Sequence, residues 1–191
     1  MKRSLFIASL LGVLLMAPVF AQEAKNPRVI MDTSAGKITI ELYADKAPVS
    51  VKNFLQYVDD KHYDGTIFHR VIADFMIQGG GFEPGLKQKK TREPIKNEGG
   101  NGVKNERGTI AMARTGDPDS ATAQFYINTV NNKNLDRANA SDSVGYAVFG
   151  KVIDGMDVVD AIRRVDTGVQ SGFKDVPVKD VVIRSVRRVT K

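Results

Sequence analysis

Residues 66–80 read TIFHRVIADFMIQGG, and they contain two β-like runs, 66–72 and 75–78. Threonine, isoleucine, valine and phenylalanine, which favour strands, make up most of the first run and half of the second. Arg70 and Gln78 stand out because they place a cation and a neutral amide beside an apolar surface with no nucleophile close to it. The stretch therefore indicates a β-rich fold and contains the first candidate functional residues.

Patterns typical of strands continue on both sides of this stretch. Residues 37–42 alternate Ile38, Ile40 and Leu42 with polar residues, as a strand with one buried face does. The remaining β-like runs are 29–31, 108–113, 124–128, 146–152 and 180–189.

Two segments have helical spacing instead. The first follows Pro48, which suits the first turn of a helix. The second begins near Asp154, its predicted N-cap, and runs to about residue 164. Many strands and only two helices predict a mainly β protein, a closed eight-stranded antiparallel β-barrel capped by the two α-helices. The predicted apolar face of the first helix consists of Val51, Phe54, Leu55 and Val58.

Three connections in the middle of the chain are long and polar. They span 79–107, 114–123 and 129–143, and long loops without secondary structure in a small domain are usually functional. We expect them to build a groove at one side of the sheet. The glycine runs 79–81 and 99–102 lack the lysine and the strand–helix context of a phosphate-binding loop, so we interpret them as tight turns.

Composition narrows the chemistry. The 191 residues are 42% hydrophobic and 26% charged, which is typical of a globular protein, and no repeat or composition break divides the chain. The absence of cysteine excludes disulfides, thiolate metal sites and thiol nucleophiles, and two histidines argue against a polyhistidine metal centre. The net charge of +6 comes partly from basic clusters at 87–96 and 184–191 without interleaved aromatic residues, so we expect no nucleic-acid partner.

The beginning of the chain has the pattern of a cleaved signal peptide. Lys2-Arg3 is a basic start, residues 5–16 are almost entirely apolar, and Val19-Phe20-Ala21 fits a signal peptidase site. A retained membrane anchor is the alternative, although the apolar stretch is short for a transmembrane span.

The signal peptide sets the predicted domain boundaries. We expect residues 1–21 to be removed, residues 22–28 to form a short N-terminal segment, and residues 29–191 to form one folded domain. Such a leader predicts a periplasmic protein with no stable membrane association after cleavage.

Five blocks of sequence, in this order, resemble the cyclophilin family of peptidyl-prolyl isomerases. The similarity runs from about residue 29 to residue 189, and five ordered blocks are more specific than any one of them. Together with the signal sequence, they make the chain most similar to the periplasmic cyclophilins of Gram-negative bacteria. The blocks are FHRVI at 68–72, FMIQGG at 75–80, GTIAMA at 108–113, QFYIN at 124–128 and VFGKV at 148–152.

The resemblance implies roles for individual residues. Arg70 falls on the family's catalytic arginine, and Gln78 and Gln124 fall on the side chains that position the peptide and the arginine. Ala113 and Arg114 fall on the strand end whose backbone holds the residues before the proline. The other implied substrate-binding residues are Phe75, Met76, Tyr126 and Leu135, which form the proline pocket, and Tyr146, where many eukaryotic members carry a histidine.

Two residues depart from the family pattern. Tyr126 stands where phenylalanine is usual, and its hydroxyl requires a hydrogen-bond partner or a route to water. Asn134 stands at or next to the position where cyclosporin-sensitive members carry tryptophan. His69, although beside Arg70, is expected to be structural, because the reaction requires no general base.

The resemblance implies a peptidyl-prolyl cis-trans isomerase that rotates X-Pro bonds and assists the folding of exported proteins. We expect no cofactor, no metal and a monomer, with proline-containing unfolded or partly folded polypeptides as partners. A binding module or chaperone with the same groove but no turnover is a second possibility, which Arg70 beside Gln78 disfavours. A secreted hydrolase is a third possibility, which is disfavoured because the sequence shows no nucleophile–base pair.

Overall fold

A computed structural model describes residues 26–189 of the chain. It contains a closed barrel of eight strands with antiparallel neighbours, in the order β1-β12-β3-β4-β8-β7-β9-β2. The predicted fold class is confirmed. The barrel strands are β1 (Arg28–Thr33), β2 (Gly36–Leu42), β3 (Thr66–Ile72), β4 (Met76–Gly79), β7 (Thr109–Met112), β8 (Phe125–Asn128), β9 (Val148–Asp154) and β12 (Val182–Arg188).

Two small hairpins lie outside the barrel, and the sequence analysis missed both. One joins β5 (Phe82–Glu83) to β6 (Lys87–Gln88) inside the predicted 79–107 loop, and the other joins β10 (Thr167–Gln170) to β11 (Phe173–Pro177). All four residues of β10 are exposed, so this strand has no alternation of buried and exposed residues for a pattern to detect.

Helix α1 (Pro48–Asp59) closes one end of the barrel. Its predicted apolar face is buried, and Phe54 at the centre of that face is fully inaccessible to solvent. The Phe54 ring lies 5.0 Å from Tyr63, 5.8 Å from Phe125 and 5.2 Å from Phe149, measured between ring centroids. These rings join the helix to two barrel strands and form the middle of the core.

Helix α2 (Met156–Ile162) packs at the other end of β2 from α1. The predicted cap at Asp154 is wrong, because the N-cap is Gly155, with a φ of 88° and no side-chain hydrogen bond. A Cβ on Gly155 would collide with the backbone of Lys37, so the close approach of α2 to β2 requires glycine at this point. Since α1 comes after the last residue of β2, whereas α2 packs on the first residues of β2, the two helices cap opposite ends of the barrel.

No helix among residues 26–189 is long and apolar enough to cross a membrane. The predicted signal peptide at 1–21 and residues 22–25 of the short segment at 22–28 lie outside the described residues.

Candidate active site

A pocket of about 90 Å³ opens on the face where β3, β4 and β8 lie side by side. Pockets for drug-sized ligands are typically about 300–1,000 Å³, so this one has the size for a single small side chain. The structure brings together the catalytic and substrate-binding residues that the family resemblance implied, and of these only Gln124 does not line the pocket directly. The lining residues are Arg70, Phe75, Met76, Gln78, Ala113, Arg114, Tyr126, Leu135 and Tyr146.

Strand register explains why these residues meet. Arg70 of β3 lies opposite Gln78 of β4, Gln78 lies opposite Tyr126 of β8, and Tyr126 lies opposite Ala111 of β7. Residues directly opposite one another on antiparallel strands point to the same face, with Cβ atoms about 4.5–5.5 Å apart. The four residues therefore form a row across the barrel surface, with the guanidinium at one end and apolar groups at the other.

The floor of the pocket is a second apolar cluster, separate from the barrel interior. Met76, Ala111, Tyr126 and Val148 are buried in it, and each is at most 4% exposed. The partly buried residues packed around them include Phe75, Ala113, Leu135 and Tyr146. An apolar floor with a cation at its rim suits an uncharged ring that carries an atom whose electron density increases during a reaction.

The Tyr126 hydroxyl has the partner that the sequence analysis required. It donates to Asn105 Oδ1 at 2.8 Å, and burial raises the pKa of Tyr126 well above its ordinary value, which keeps the donor protonated. The Asn105 side chain donates in turn to Asp136 Oδ1 at 3.1 Å. The tyrosine that replaces the usual phenylalanine is thus accommodated by a buried polar network behind the pocket. The sequence gives no local signal for Asn105, which lies in a polar loop.

Gln124 acts on the site through Gln78. The Gln78 side-chain amide donates to Gln124 Oε1 at 2.9 Å, which fixes the orientation of the amide beside Arg70. The Gln124 side chain lies against Gly81, where a Cβ would come within 2.5 Å of Gln124 Cγ. The third glycine of the 79–81 run therefore makes room for the second glutamine, in addition to its part in the turn.

Arg70 itself is held loosely. Its side chain is 43% exposed, and its nearest carboxylate is Asp175 of the β10–β11 hairpin, with Nε 3.9 Å from Oδ2. That separation is longer than a hydrogen bond, and exposed pairs of this kind contribute little to stability. Sequence analysis missed Asp175, because nothing in residues 167–177 indicated a hairpin beside β3. No short hydrogen bond to another described residue fixes the guanidinium in place.

The Arg114 side chain has a different environment from that of Arg70. It is 3% exposed, pairs with Asp142, and has its guanidinium carbon 4.2 Å from the centroid of the Tyr146 ring. Hydrogen bonds from the backbone amides of Gly145 and Val144, followed by that of Arg114, hold the pKa of Asp142 far below its usual range. Since this guanidinium is already engaged, Arg70 is the cation at the pocket that remains available.

His69 does not line the pocket. It is 5% exposed and packs on Phe82, with 4.6 Å between ring centroids. Burial, followed by the nearby charge of Arg70, lowers the pKa of His69 to about 4. The imidazole is therefore neutral near pH 7.

The low pKa of His69 predicts a loss of stability in mild acid. The His69 imidazole binds a proton near pH 6.5 in the unfolded chain but only near pH 4 in the folded chain. Its contribution to the free energy of unfolding is therefore fully present above pH 6.5 and is lost as the pH falls towards 4. At pH 5 the loss amounts to about 2 kcal/mol. Urea unfolding at pH 8 and pH 5 measures it. Between these two pH values the variant His69→Gln should lose about 2 kcal/mol less free energy of unfolding than the unmodified protein. Equal losses in both proteins would contradict the low pKa of His69.

No group of three histidine, cysteine or carboxylate side chains suited to a metal ion occurs in the described range, 26–189.

The comparison with known proteins identifies the family. The family described as cyclophilin type peptidyl-prolyl cis-trans isomerase/CLD matches residues 28–188. The chain belongs to this family. Its activity is accordingly the cis–trans isomerisation of peptide bonds that precede proline.

Curated relatives and a solved structure agree with this placement. The chain is 58% identical to peptidyl-prolyl cis-trans isomerase B of Escherichia coli over 83% of its length and 97% of the relative. It is 55% identical to a peptidyl-prolyl cis-trans isomerase of Acinetobacter baylyi over 95% of its length and 94% of the relative. A cyclophilin from Cryptosporidium parvum, solved in the presence of the dipeptide Ala-Pro, has the same fold, with a TM-score of 0.71, 24% identity, and coverage of 86% of this chain and 99% of that one.

Proposed function

We propose that the proline of a client polypeptide binds in the 90 Å³ pocket and that the Arg70 guanidinium accelerates rotation about the preceding peptide bond. The observation that carries the proposal is the row of Arg70, Gln78 and Tyr126 across three neighbouring strands. This row sets a cation and a polar amide at the edge of an apolar pocket.

The chemistry of the bond explains why a cation at this place is effective. Amide resonance opposes rotation with a barrier of about 18–20 kcal/mol, and exchange at X-Pro bonds takes on the order of tens of seconds without a catalyst. In the twisted state the conjugation is lost and the proline nitrogen regains its lone pair. A guanidinium N–H donates to that lone pair more strongly in the twisted state than in the planar one, and a group that binds the transition state better than the ground state accelerates the reaction.

The other pocket residues have positioning roles in this proposal. The apolar floor around Met76 and Tyr126 holds the ring in place while the carbonyl side rotates, and it strengthens the charge interaction by excluding water. The Gln78–Gln124 pair orients the peptide beside Arg70. Ala113 and Arg114, which follow the last residue of β7, supply backbone groups for the residues before the proline.

A binding protein that holds X-Pro segments without turnover is the competing function, and excess substrate separates the two. With a large molar excess of an Ala-Pro peptide over the purified protein, an isomerase increases the exchange rate of the whole peptide pool. A binding protein changes only the small fraction that it holds. Exchange measured by NMR distinguishes these outcomes.

We further propose that the isomerase acts in the periplasm on exported proteins. The support is the leader pattern at residues 1–21. The protein purified from a periplasmic fraction should begin near Gln22. An intact N-terminus on membrane-bound protein, seen by mass spectrometry, would support the retained anchor instead.

The residue at position 134 predicts weak inhibition by cyclosporin. Asn134 is exposed on the short 3-10 helix Lys133–Leu135, next to the pocket residue Leu135. It offers little of the apolar area, and no indole N–H, of the tryptophan that sensitive members carry at or next to that position. Loss of such a contact commonly costs about 2 kcal/mol, or roughly thirtyfold in affinity.

We therefore expect Asn134→Trp to strengthen cyclosporin inhibition by up to about thirtyfold. Lys151→Trp is the control, since Lys151 is also exposed but lies on β9, away from the 3-10 helix that carries Asn134, and does not line the proline pocket. Inhibition of the unmodified protein as strong as that of Asn134→Trp would contradict this prediction.

A further inference from the structure

A larger cleft lies beside the proline pocket and has no role in the reaction described above. Its volume is about 680 Å³, and the polar segments 99–106 and 131–143 form its walls. This is within the typical range of ligand-binding pockets, about 300–1,000 Å³, and it exceeds the 90 Å³ of the proline pocket.

The walls of this cleft carry an excess of positive charge. Lys104, Lys133 and Arg137 line it, against the carboxylates of Glu106 and Asp136. Asp136 is already occupied, because its Oδ1 accepts hydrogen bonds from the Asn105 backbone N at 2.7 Å and from the Asn105 side chain at 3.1 Å. Three exposed cations thus face two carboxylates, an excess of one positive charge, and Glu106 is the carboxylate whose oxygens are the less engaged.

Arg137 is unusual among the arginines of this protein. Nearly every other arginine in the range 26–189 has a carboxylate oxygen within 4.0 Å of its guanidinium, whereas Arg137 has none. Its guanidinium lies across Gly100, so close that a Cβ there would come within 2.5 Å of Nη1. An arginine without a carboxylate partner in the described range thus lies against the backbone at Gly100, at the wall of the cleft.

The cleft and the proline pocket share a wall. Leu135 lines the pocket, whereas Lys133 and Asp136, on either side of it along the chain, line the cleft. The Tyr126 hydroxyl, at the back of the pocket, donates at 2.8 Å to Asn105, which lines the cleft. One layer of side chains therefore separates the two cavities, and an extended peptide with its proline in the pocket reaches the cleft within a few residues.

We propose that the cleft binds an acidic side chain of the client polypeptide, close in sequence to the isomerised proline. This inference rests on the proposed function, since it assumes that the proline occupies the pocket. The guanidinium of Arg137 and the ammonium groups of Lys104 and Lys133 are hydrogen-bond donors without acceptors of their own. The carboxylate of aspartate or glutamate fits them because it carries a negative charge and accepts hydrogen bonds. The cleft would thereby select clients by charge, independently of the residue that precedes the proline.

The test compares matched peptides that contain one Ala-Pro bond. Glutamate, glutamine or lysine is placed two, three or four residues before or after the proline, and exchange on the purified protein gives kcat/KM for each peptide. At the favoured position we expect kcat/KM of the glutamate peptide to exceed that of the glutamine peptide by about three- to tenfold. The value for the lysine peptide should be lower than that for the glutamine peptide. The preference should weaken as salt rises from about 0.01 M to about 0.1 M, because the screening length falls from ~30 Å to ~10 Å.

Variants assign the preference to this cleft. The triple variant Lys104→Gln, Lys133→Gln, Arg137→Gln should bring the glutamate-to-glutamine ratio close to one, and Arg137→Gln alone should lower it. The control removes the same charge at exposed residues outside both cavities, with Lys151→Gln, Arg164→Gln and Lys179→Gln, and should keep the ratio. Turnover of all peptides without a glutamate preference, or an equal loss of preference in both triple variants, would overturn this inference alone. Absence of turnover for every peptide would overturn the proposed function.

Discussion

Replacing Arg70 by alanine should lower kcat/KM for an X-Pro peptide by about two to three orders of magnitude. Removing a single preorganised donor that stabilises developing charge costs about 10²–10³ in rate in other enzymes, and the other cation at the pocket, Arg114, is engaged by Asp142. Exchange NMR or a coupled peptide assay measures the change.

The fold should survive this substitution. The Arg70 side chain is 43% exposed and its pairing with Asp175 is long, so truncation removes little packing. Thermal unfolding of Arg70→Ala should therefore match that of the unmodified protein. Arg70→Lys is a useful companion variant, because it keeps the charge but loses the planar fork of donors. Near-normal turnover by Arg70→Ala would show that the catalytic assignment is wrong.

Replacing Phe54 by alanine should have the largest effect on stability. Phe54 is fully buried and its ring packs between α1 and the barrel, against Tyr63, Phe125 and Phe149. Truncation of a buried phenylalanine commonly costs about 3–5 kcal/mol, or roughly two to four orders of magnitude in the folding equilibrium. Urea unfolding followed by circular dichroism measures the cost.

Val49 provides the control for this prediction, because it lies on the same helix and is 41% exposed. Val49→Ala should change the free energy of unfolding by no more than about 0.5 kcal/mol. If Phe54→Ala were as mild as Val49→Ala, the helix would not be a structural part of the core.

Much of the barrel could be predicted from the sequence because most of its strands have one buried face. Ile38, Ile40 and Leu42 of β2 are fully buried, and their period-two spacing follows directly from that burial. The β10–β11 hairpin could not be predicted, because β10 is exposed throughout. The predicted N-cap of α2 is wrong because a tertiary contact determines the true one. Gly155 approaches the backbone of Lys37 closely, and local sequence does not encode that approach.

The pocket was predicted through family resemblance rather than through local pattern. Arg70 and Gln78 lie in one short stretch, but Tyr126 is distant from both in sequence and meets them only because of strand register, which a single sequence does not specify. For the same reason Asn105 and Asp175, which contact Tyr126 and Arg70, could not be found. Each comes from a loop or hairpin whose path depends on the completed barrel.

The proposed role of Arg70 is to stabilise the twisted bond, with little contribution to holding the peptide. Exchange spectroscopy at saturating concentrations of an Ala-Pro peptide measures it most directly, because it gives the rate of rotation on the protein and the Kd separately. We expect Arg70→Ala to slow rotation by about 10²-fold or more while Kd changes only a few-fold. An unchanged rotation rate with a greatly weakened Kd would contradict it, since Arg70 would then be a binding residue.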